Sequence, residues 1–204
     1  MGQGESCTEG RAAAGAAPRR VVVGVSGASG AALGLACLDL LAEAPGWESC
    51  LVCTHGAELT IAQELGMTSD EFAAHADVTF DNADIGAAIA SGTYPCAGMV
   101  VAPCSMKTLA GIACGYSENL LLRAADVTLK EQRRLVLMVR ESPLSAIHLD
   151  NMARLARVPG VMIMPPVPAF YDGAQTVGEM VRQMAGRALD ALGVEVAGLR
   201  RWQG

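Results

Sequence analysis

Short apolar runs alternate with amphipathic segments along most of this chain. Each run is four to seven residues long, is rich in Val, Leu, Ile or Met, and is followed closely by Gly, Pro or Ser. This alternation predicts βα units, in which helices join parallel strands through right-handed crossovers. The runs predict five strands, at residues 21–25, 48–54, 98–102, 135–140 and 161–164.

Segments with helical spacing of their apolar residues lie between and after these runs. Together they predict a doubly wound α/β fold with a mostly parallel sheet between two helical layers. Residues 65–97 show no regular period, and we expect irregular structure there. The predicted helices cover residues 31–44, 57–64, 108–114, 119–131, 145–157 and 176–192.

Composition narrows the class of protein. The 204 residues suffice for one sizeable domain, which we place at residues 19–204, and residues 1–18 have the composition of a disordered tail. A net charge of −6 argues against nucleic acid as a partner. No apolar run reaches the roughly 18–20 residues of a membrane span.

The cysteines indicate a reducing compartment. There are seven, an odd number, and the one CxxC spacing, Cys50 to Cys53, lies inside a predicted strand and not at a turn. We therefore expect reduced, mostly buried thiols and a cytoplasmic protein.

The segment VVVGVSGASG, residues 21–30, predicts a buried strand, a tight turn and the start of a helix. Backbone N–H groups and the helix dipole at such a turn suit a phosphate, although the first turn of any α/β protein can share this pattern. Ser26 and Ser29 add hydroxyl donors for a ligand, although Ser29 could instead cap the following helix.

Other strand ends carry further hydroxyl groups, on Thr54, Ser105 and Thr108. In open α/β sheets, ligands bind beyond the carboxyl ends of the strands, where these residues would meet. The chain has neither GxGxxG nor GxxxxGK[ST], so a mononucleotide is favoured over a dinucleotide or a P-loop nucleotide. Each hydroxyl group taken singly could equally cap a helix.

Arg123 and Lys130 lie two turns apart on one predicted helix and share a face. They either form a solvated face, with Asp126 as a partner, or bind an anion the size of a phosphate. In the second interpretation, Glu141 at the end of the 135–140 strand donates or accepts a proton.

Five long blocks occur in the order found in UbiX-type flavin prenyltransferases, and the chain resembles that family over residues 20–202. The segment at 81–94 is similar to the branch that accompanies hydroxyarylic (phenolic) acid decarboxylases as their small subunit, with Ile85 about where the ubiquinone branch has tryptophan. The blocks are GVSGASG (24–30), APCSMKTLAGIACGY (102–116), RAADVTLKE (123–131), VLMVRESPLSAIHLDNM (136–152) and PPVPAFY (165–171).

The resemblance implies a Rossmann-like flavoprotein fold and a specific reaction. Members of this family transfer a dimethylallyl group from dimethylallyl phosphate to reduced FMN, first at N5 and then at C6, without a metal. The product, prenylated FMN, serves UbiD-type decarboxylases. The family assembles as dodecamers with sites shared between subunits.

The resemblance also assigns roles to residues of this chain. Implied catalytic residues are Glu141, as the acid assisting departure of phosphate, together with Glu64, Ser29 and Lys130. Implied binding residues for dimethylallyl phosphate are Arg123, Lys130, Tyr171 and Arg187. Implied FMN-binding residues are Gly27, Ala28, Ser29, Thr54, Ser105, Met106, Lys107, Thr108 and Arg140.

Two alternatives remain at this point. FMN-dependent cysteine decarboxylases share the fold, but they use a histidine on the first helix and a PxMNxxMW-like segment, neither of which occurs here. A decarboxylase subunit without activity of its own would have no need of the charged set that this chain retains.

Overall fold

Six strands form a single sheet in the computed structural model of this protein, which describes residues 18–202. Every neighbouring pair is parallel, and the strand order is β3-β2-β1-β4-β5-β6. This order confirms the predicted doubly wound α/β fold. The strands are β1 (Arg19–Val25), β2 (Trp47–Cys53), β3 (Val78–Phe80), β4 (Gly98–Cys104), β5 (Arg134–Val139) and β6 (Val161–Ile163).

The direction of winding reverses between β1 and β4. β1 pairs with β2 on one side and with β4 on the other, so the connections that leave these two strands diverge. Divergent connections open a crevice at the carboxyl ends of the strands, which is where this fold class binds ligands. The fold therefore directs the search for a site to the loops that follow β1, β2, β4 and β5.

Within the described residues, seven α-helices cover the two faces of the sheet. Helices α1, α2 and α7 pack with the inward side chains of one face, among them Val23 and Met138, while α4, α5 and α6 pack on the other, with Val101 and Leu137. The expected three layers are therefore present. The helices are α1 (Ala31–Ala42), α2 (His55–Leu65), α3 (Ser69–Ala73), α4 (Met106–Cys114), α5 (Leu120–Lys130), α6 (Ala146–Leu155) and α7 (Val177–Ala191).

The expectation of irregular structure over residues 65–97 is wrong, because α3 and β3 lie within it. β3 is only three residues long and half-exposed, so no period is visible in the sequence. A tertiary contact holds its start: the Asp77 carboxylate accepts from the Ser49 backbone N–H at 2.8 Å and from the Ser49 hydroxyl at 2.9 Å.

β4 also runs further than its sequence indicates. Pro103, expected to end the strand at residue 102, is inside it, and Cys104 pairs with Val139 after a shift in register. Proline lacks only the N–H group, and the Pro103 carbonyl still accepts the Ser26 backbone N–H at 3.2 Å. The Ala102–Pro103 peptide bond is cis.

Most helix boundaries differ from prediction by one or two residues, and capping side chains set most of the N-terminal boundaries. Each of these caps accepts a hydrogen bond from a backbone N–H of the first turn, and the helix begins at the next residue. The side chains that cap in this way are Thr54, Thr68, Ser105, Asn119, Ser145 and Thr176.

The predicted tail at residues 1–18 falls, apart from Pro18, outside the described residues. The six cysteines within residues 18–202 are free thiols, and burial raises the pKa of Cys37 to about 12. No helix in the described part of the chain is long and apolar enough to cross a membrane.

Substituting Gly34 with Ala should destabilise the contact between α1 and β4. The new Cβ would lie 2.7 Å from the Ala102 carbonyl oxygen. This contact is too short, and it can be relieved only if the backbone of α1 or β4 moves. We expect a loss of about 1–3 kcal/mol in the free energy of unfolding, measured by urea denaturation. Gly178→Ala in the first turn of α7, where the Cβ has space, is the control; equal stability of the two variants would contradict the prediction.

Candidate functional site

A buried hydroxyl group ties β1 to β4 at the crevice. The side chain of Ser26 is fully buried, donates to the Pro103 carbonyl at 2.9 Å and accepts from the Ser105 backbone N–H at 2.8 Å. Its donor and acceptor functions are both satisfied, which a buried hydroxyl group requires. The loops after β1 and β4 are therefore fixed relative to each other.

The loops after β1 and β2 approach so closely that only glycine fits. A Cβ on Gly27 would lie 2.8 Å from both the Cα and the carbonyl carbon of Gly56. In addition, the Thr54 backbone N–H donates to the Val25 carbonyl at 3.0 Å. Three loops are thus joined into one rigid edge.

The carboxylate of Glu64, from the end of α2, sits on the N-terminus of α1. Its oxygens accept from the backbone N–H groups of Gly30 and Ala31, each at 2.9 Å. Partial burial opposes ionisation of this carboxyl group, but those two hydrogen bonds favour it. With help from the Ser29 hydroxyl and the charge of Arg140, they hold the pKa of Glu64 below its usual range.

The turn after β1 differs from a simple phosphate cradle as a result. The N–H groups at the helix start bind Glu64, and that of Ala28 binds the Ser26 carbonyl at 2.8 Å. The backbone N–H groups of Gly27 and Ser29 donate to no acceptor among residues 18–202, and both residues are exposed. Ser29 does not cap α1; its hydroxyl is directed to Glu64.

The loop after β4 supplies two linked hydroxyl groups. Ser105 caps α4 by accepting from the Thr108 N–H at 3.3 Å, and its hydroxyl donates to the Thr108 Oγ1 at 3.1 Å. The backbone N–H groups of Met106 and Lys107 have no acceptor within the described residues. The exposed Lys107 ammonium lies 3.5 Å from Glu118.

Arg140 and Glu141 follow β5 at the same edge. The Arg140 backbone N–H donates to the Cys104 carbonyl at 3.0 Å, which fixes the residue beside the loop after β4. Its exposed guanidinium forms no ion pair within residues 18–202 and acts on Glu64 through space. The Glu141 side chain is exposed and accepts from the Ser142 backbone N–H at 2.9 Å.

Lys130 does not join this edge in the same chain, whereas Arg123, one turn into α5, lies nearer to it, because the start of α5 donates to Asn82 just after β3. α5 runs antiparallel to β5 and ends just before it, so Lys130 lies at the opposite edge of the sheet, about 20 Å of strand away from Arg140. Arg123 pairs with Asp126 at 2.8 Å, and Lys130 pairs with Glu131.

Tyr171 and Arg187 line a cavity of about 420 Å³ on the other face of the sheet, beside α7. Met138 and Met164 form part of its wall, and Trp202 meets the Tyr171 ring edge-on at a centroid distance of 5.4 Å. Arg187 donates to Asp190 at 3.1 Å. The charged residues predicted to bind one phosphate are therefore divided between two faces.

Comparison with known proteins decides the family. The family described as Flavoprotein matches residues 11–188. A probable UbiX-like flavin prenyltransferase of Streptomyces sp. (strain D7) is 51% identical over 185 residues, which cover 91% of this chain and 92% of that protein. The chain belongs to the UbiX-type flavin prenyltransferases, within the Flavoprotein family.

Two solved UbiX-like structures have the same fold. A dodecameric FMN-dependent UbiX-like decarboxylase from Escherichia coli O157:H7 superposes with a TM-score of 0.87 at 49% identity, covering 91% of this chain and all of that one. AnUbiX (PadA1), in complex with FMN and dimethylallyl pyrophosphate, gives 0.88 at 44% identity, covering 92% and 98%.

Several residues that build this UbiX-type site escaped the sequence analysis. Gly56 carries no signal of its own, since glycine is common at any strand end. Ser26 was expected to offer its hydroxyl group to a ligand, but that group bonds Pro103 and Ser105 within the chain. Trp202 reaches the cavity because the C-terminal segment folds back along α7, where the Arg201 guanidinium pairs with Asp190 of that helix. The Glu64 contact spans 34 residues, and only the resemblance pointed to that residue.

Glu64→Gln should remove a pH-dependent part of the stability. Because the folded-state pKa of Glu64 lies below its ordinary 4.5, the carboxylate stabilises the fold above that pH and stops doing so as the pH falls through the lower folded-state value. Wild type should therefore exceed the variant in free energy of unfolding at pH 7, and the difference should shrink below pH 4.5.

Urea denaturation across this pH range measures the difference. Glu58→Gln, on the same helix, removes an equal charge without touching α1 and controls for net charge. A difference that stays constant with pH would contradict the assigned contact.

Proposed function

We propose that this chain transfers the dimethylallyl group of dimethylallyl phosphate to reduced FMN and releases prenylated FMN. The observation that carries the proposal is its 51% identity to a flavin prenyltransferase over nearly the whole described fold. A relative that binds FMN and dimethylallyl pyrophosphate together supports FMN and a dimethylallyl donor as the two substrates. FMN in its reduced form supplies the nucleophilic ring nitrogen that the prenyl group joins.

The donors at the sheet edge fit FMN. The N–H groups of Gly27 and Ser29, which have no acceptor in the described chain, form one wall of the crevice with Ala28 between them. Thr54 stands on the side of β2, and Arg140 offers a guanidinium without an ion pair in the described chain. The loop after β4 adds the linked hydroxyl groups of Ser105 and Thr108 and the N–H groups of Met106 and Lys107, which have no acceptor in the described chain.

In this proposal, residues of two subunits together bind dimethylallyl phosphate. Arg123 and Lys130 lie on the α5 face of one chain, and Tyr171 and Arg187 lie on the α7 face, with the sheet between them. A single phosphate can contact both sets only if they come from different copies. The dodecameric relative supports such an assembly for this chain.

Exposed apolar side chains are consistent with assembly. Ile147 on α6 is 71% exposed, and Val167 and Phe170, beside the cavity of Tyr171, are 74% and 81% exposed. Apolar surface concentrated near a site commonly marks an interface.

Three residues would transfer protons during the reaction. Glu141 donates a proton to the departing phosphate, while the cations stabilise its charge. Glu64 is held as a carboxylate, which suits a group that accepts a proton during ring closure rather than one that donates it. The exposed Ser29, whose hydroxyl group interacts with Glu64, would relay that proton.

The product would be consumed by a partner enzyme of the UbiD type that decarboxylates a hydroxyarylic acid. We further propose a cytoplasmic location, supported by the free thiols of residues 18–202. A cysteine decarboxylase or an inactive subunit is not favoured, because the high identity is to prenyltransferases.

The basic test uses purified protein with reduced FMN and dimethylallyl phosphate under anaerobic conditions. Mass spectrometry should detect a flavin heavier by one C5 unit. Absence of this product, with FMN bound and dimethylallyl pyrophosphate also tried, would overturn the proposal.

Glu141→Gln should reduce prenyl transfer by about 100-fold or more, because the leaving phosphate loses its proton donor. FMN affinity, measured by flavin fluorescence, should match wild type. Asp150→Asn, an exposed carboxylate on α6, is the control and should stay fully active. Loss of FMN binding in Glu141→Gln would instead assign Glu141 to the flavin site.

Two inactive variants should complement each other if the site is shared. Co-expressing Lys130→Ala with Arg187→Ala in equal amounts should restore about a quarter of wild-type activity, since a quarter of the sites receive both intact residues. Arg123→Ala with Lys130→Ala should restore none, because both residues lie on α5 of the same chain. No activity in the first pair would place the whole site in one chain.

A further inference from the structure

A tight loop at residues 91–94, here called the Gly92 loop, lies against the end of α5 that carries Lys130. Inside it, the hydroxyl oxygens of Ser91 and Thr93 are 2.9 Å apart, and the Tyr94 backbone N–H donates to the Ser91 carbonyl at 3.2 Å. The loop is an ordered turn, and the proposed function gives it no role.

Arg133 holds the Gly92 loop by its backbone. The half-buried guanidinium donates to the Gly92 carbonyl at 2.6 Å and to the Tyr94 carbonyl at 3.1 Å. Because the guanidinium is planar, its two hydrogen bonds fix both the distance and the direction of the loop relative to Arg133. A lysine ammonium group would not fix the direction. The loop therefore cannot move far from the end of α5 while Arg133 is present.

The far side of the loop is anchored through Tyr94. Its ring meets Phe80 of β3 edge-on, with centroids 6.5 Å apart, and the Arg20 guanidinium lies 5.3 Å from the ring centroid. The tyrosine hydroxyl is 3.7 Å from the Cys50 Sγ. With Arg133 on one side and these contacts on the other, the position of Gly92 is set by the sheet.

Gly92 in turn lies directly against the Lys130 ammonium. A Cβ at this position would be 2.7 Å from Lys130 Nζ and would overlap the carboxylate of Glu131, with which Lys130 pairs. Any side chain at residue 92 would therefore displace the ion pair. The loop backbone that Arg133 holds therefore bounds the space in which the Lys130–Glu131 pair can lie.

We propose that Arg133 is a positioning residue for the donor phosphate: by clamping the Gly92 loop, it fixes the Lys130 ammonium. This inference rests on the proposed function, in which Lys130 binds that phosphate. An ammonium on a four-carbon stem has many rotamers, and restricting them before binding lowers the entropy cost of holding an anion. Arg133 itself touches no reacting group.

Arg133→Gln tests the inference through steady-state kinetics. We expect KM for dimethylallyl phosphate to rise about 10-fold, with kcat within about 3-fold of wild type and FMN affinity unchanged. A merely structural defect would lower the active fraction, and hence kcat, without moving KM. Arg133→Lys, which keeps one donor, should recover part of the loss.

Arg134→Gln is the matched control. This variant removes the same charge at the next residue. It also breaks a hydrogen bond from a guanidinium to a backbone carbonyl, in this case that of Ala191, but Arg134 does not bind the Gly92 loop. Its KM should equal that of wild type. An equal rise in KM for both variants would overturn the inference in favour of a general effect of charge.

Calorimetric titration with inorganic phosphate gives a readout independent of turnover. Binding should weaken about 10-fold in Arg133→Gln and remain unchanged in Arg134→Gln. Equal binding by wild type and Arg133→Gln, or none by wild type, overturns the inference. A wild type that binds phosphate but makes no prenylated FMN would overturn the proposed function alone.

Gly92→Ala provides a second route if Arg133→Gln fails to fold. It leaves Arg133 in place and displaces the Lys130–Glu131 pair directly. We expect the same rise in KM and the same weaker binding of inorganic phosphate. Wild-type values in Gly92→Ala would overturn the inference.

Discussion

The hydrogen-bonded Ser26 hydroxyl is the contact on which the candidate site depends. β1 and β4 are neighbours in the sheet but are far apart in the chain, and their loops diverge at the crevice. One buried side chain that donates to Pro103 and accepts from Ser105 removes this freedom. The close approach of Gly27 to Gly56 extends the same rigidity to β2. Polar groups on three loops therefore keep one geometry, as a site that binds a planar ligand requires.

The charged groups at this edge are of two kinds: those that are neutralised within the chain and those that remain available to a ligand. The dipole of α1 is satisfied inside the chain by Glu64, so that helix does not depend on a ligand for its N-terminal charge. Of the two cations on the loops after β4 and β5, Lys107 pairs with Glu118, whereas Arg140 has no carboxylate partner in the part of the chain that the structure describes. A site built in this way is stable when empty and still presents one cation to an anion.

The fold separates Lys130 from Arg187, and this separation explains why activity requires assembly in our proposal. Helices α5 and α7 cover opposite faces, so no rearrangement of loops could bring Lys130 to Arg187 within one copy. Contact between two copies of the chain can bring these two residues together. The clamp from Arg133 through Gly92 to Lys130 then has a clear purpose, since a residue offered to another subunit must be held in place by its own.

The sequence by itself determined five of the six strands and six of the seven α-helices, because apolar periods are local properties. It also indicated the family through long ordered blocks of residues. β3 could not be predicted, since three half-exposed residues carry no period and are held by a contact from Asp77 to Ser49. The same is true of the extension of β4 through Pro103, which depends on pairing across the sheet. Only the tertiary structure decided that Glu64 occupies the start of α1 and that the predicted cations lie on two faces, because both depend on contacts between residues distant in the chain.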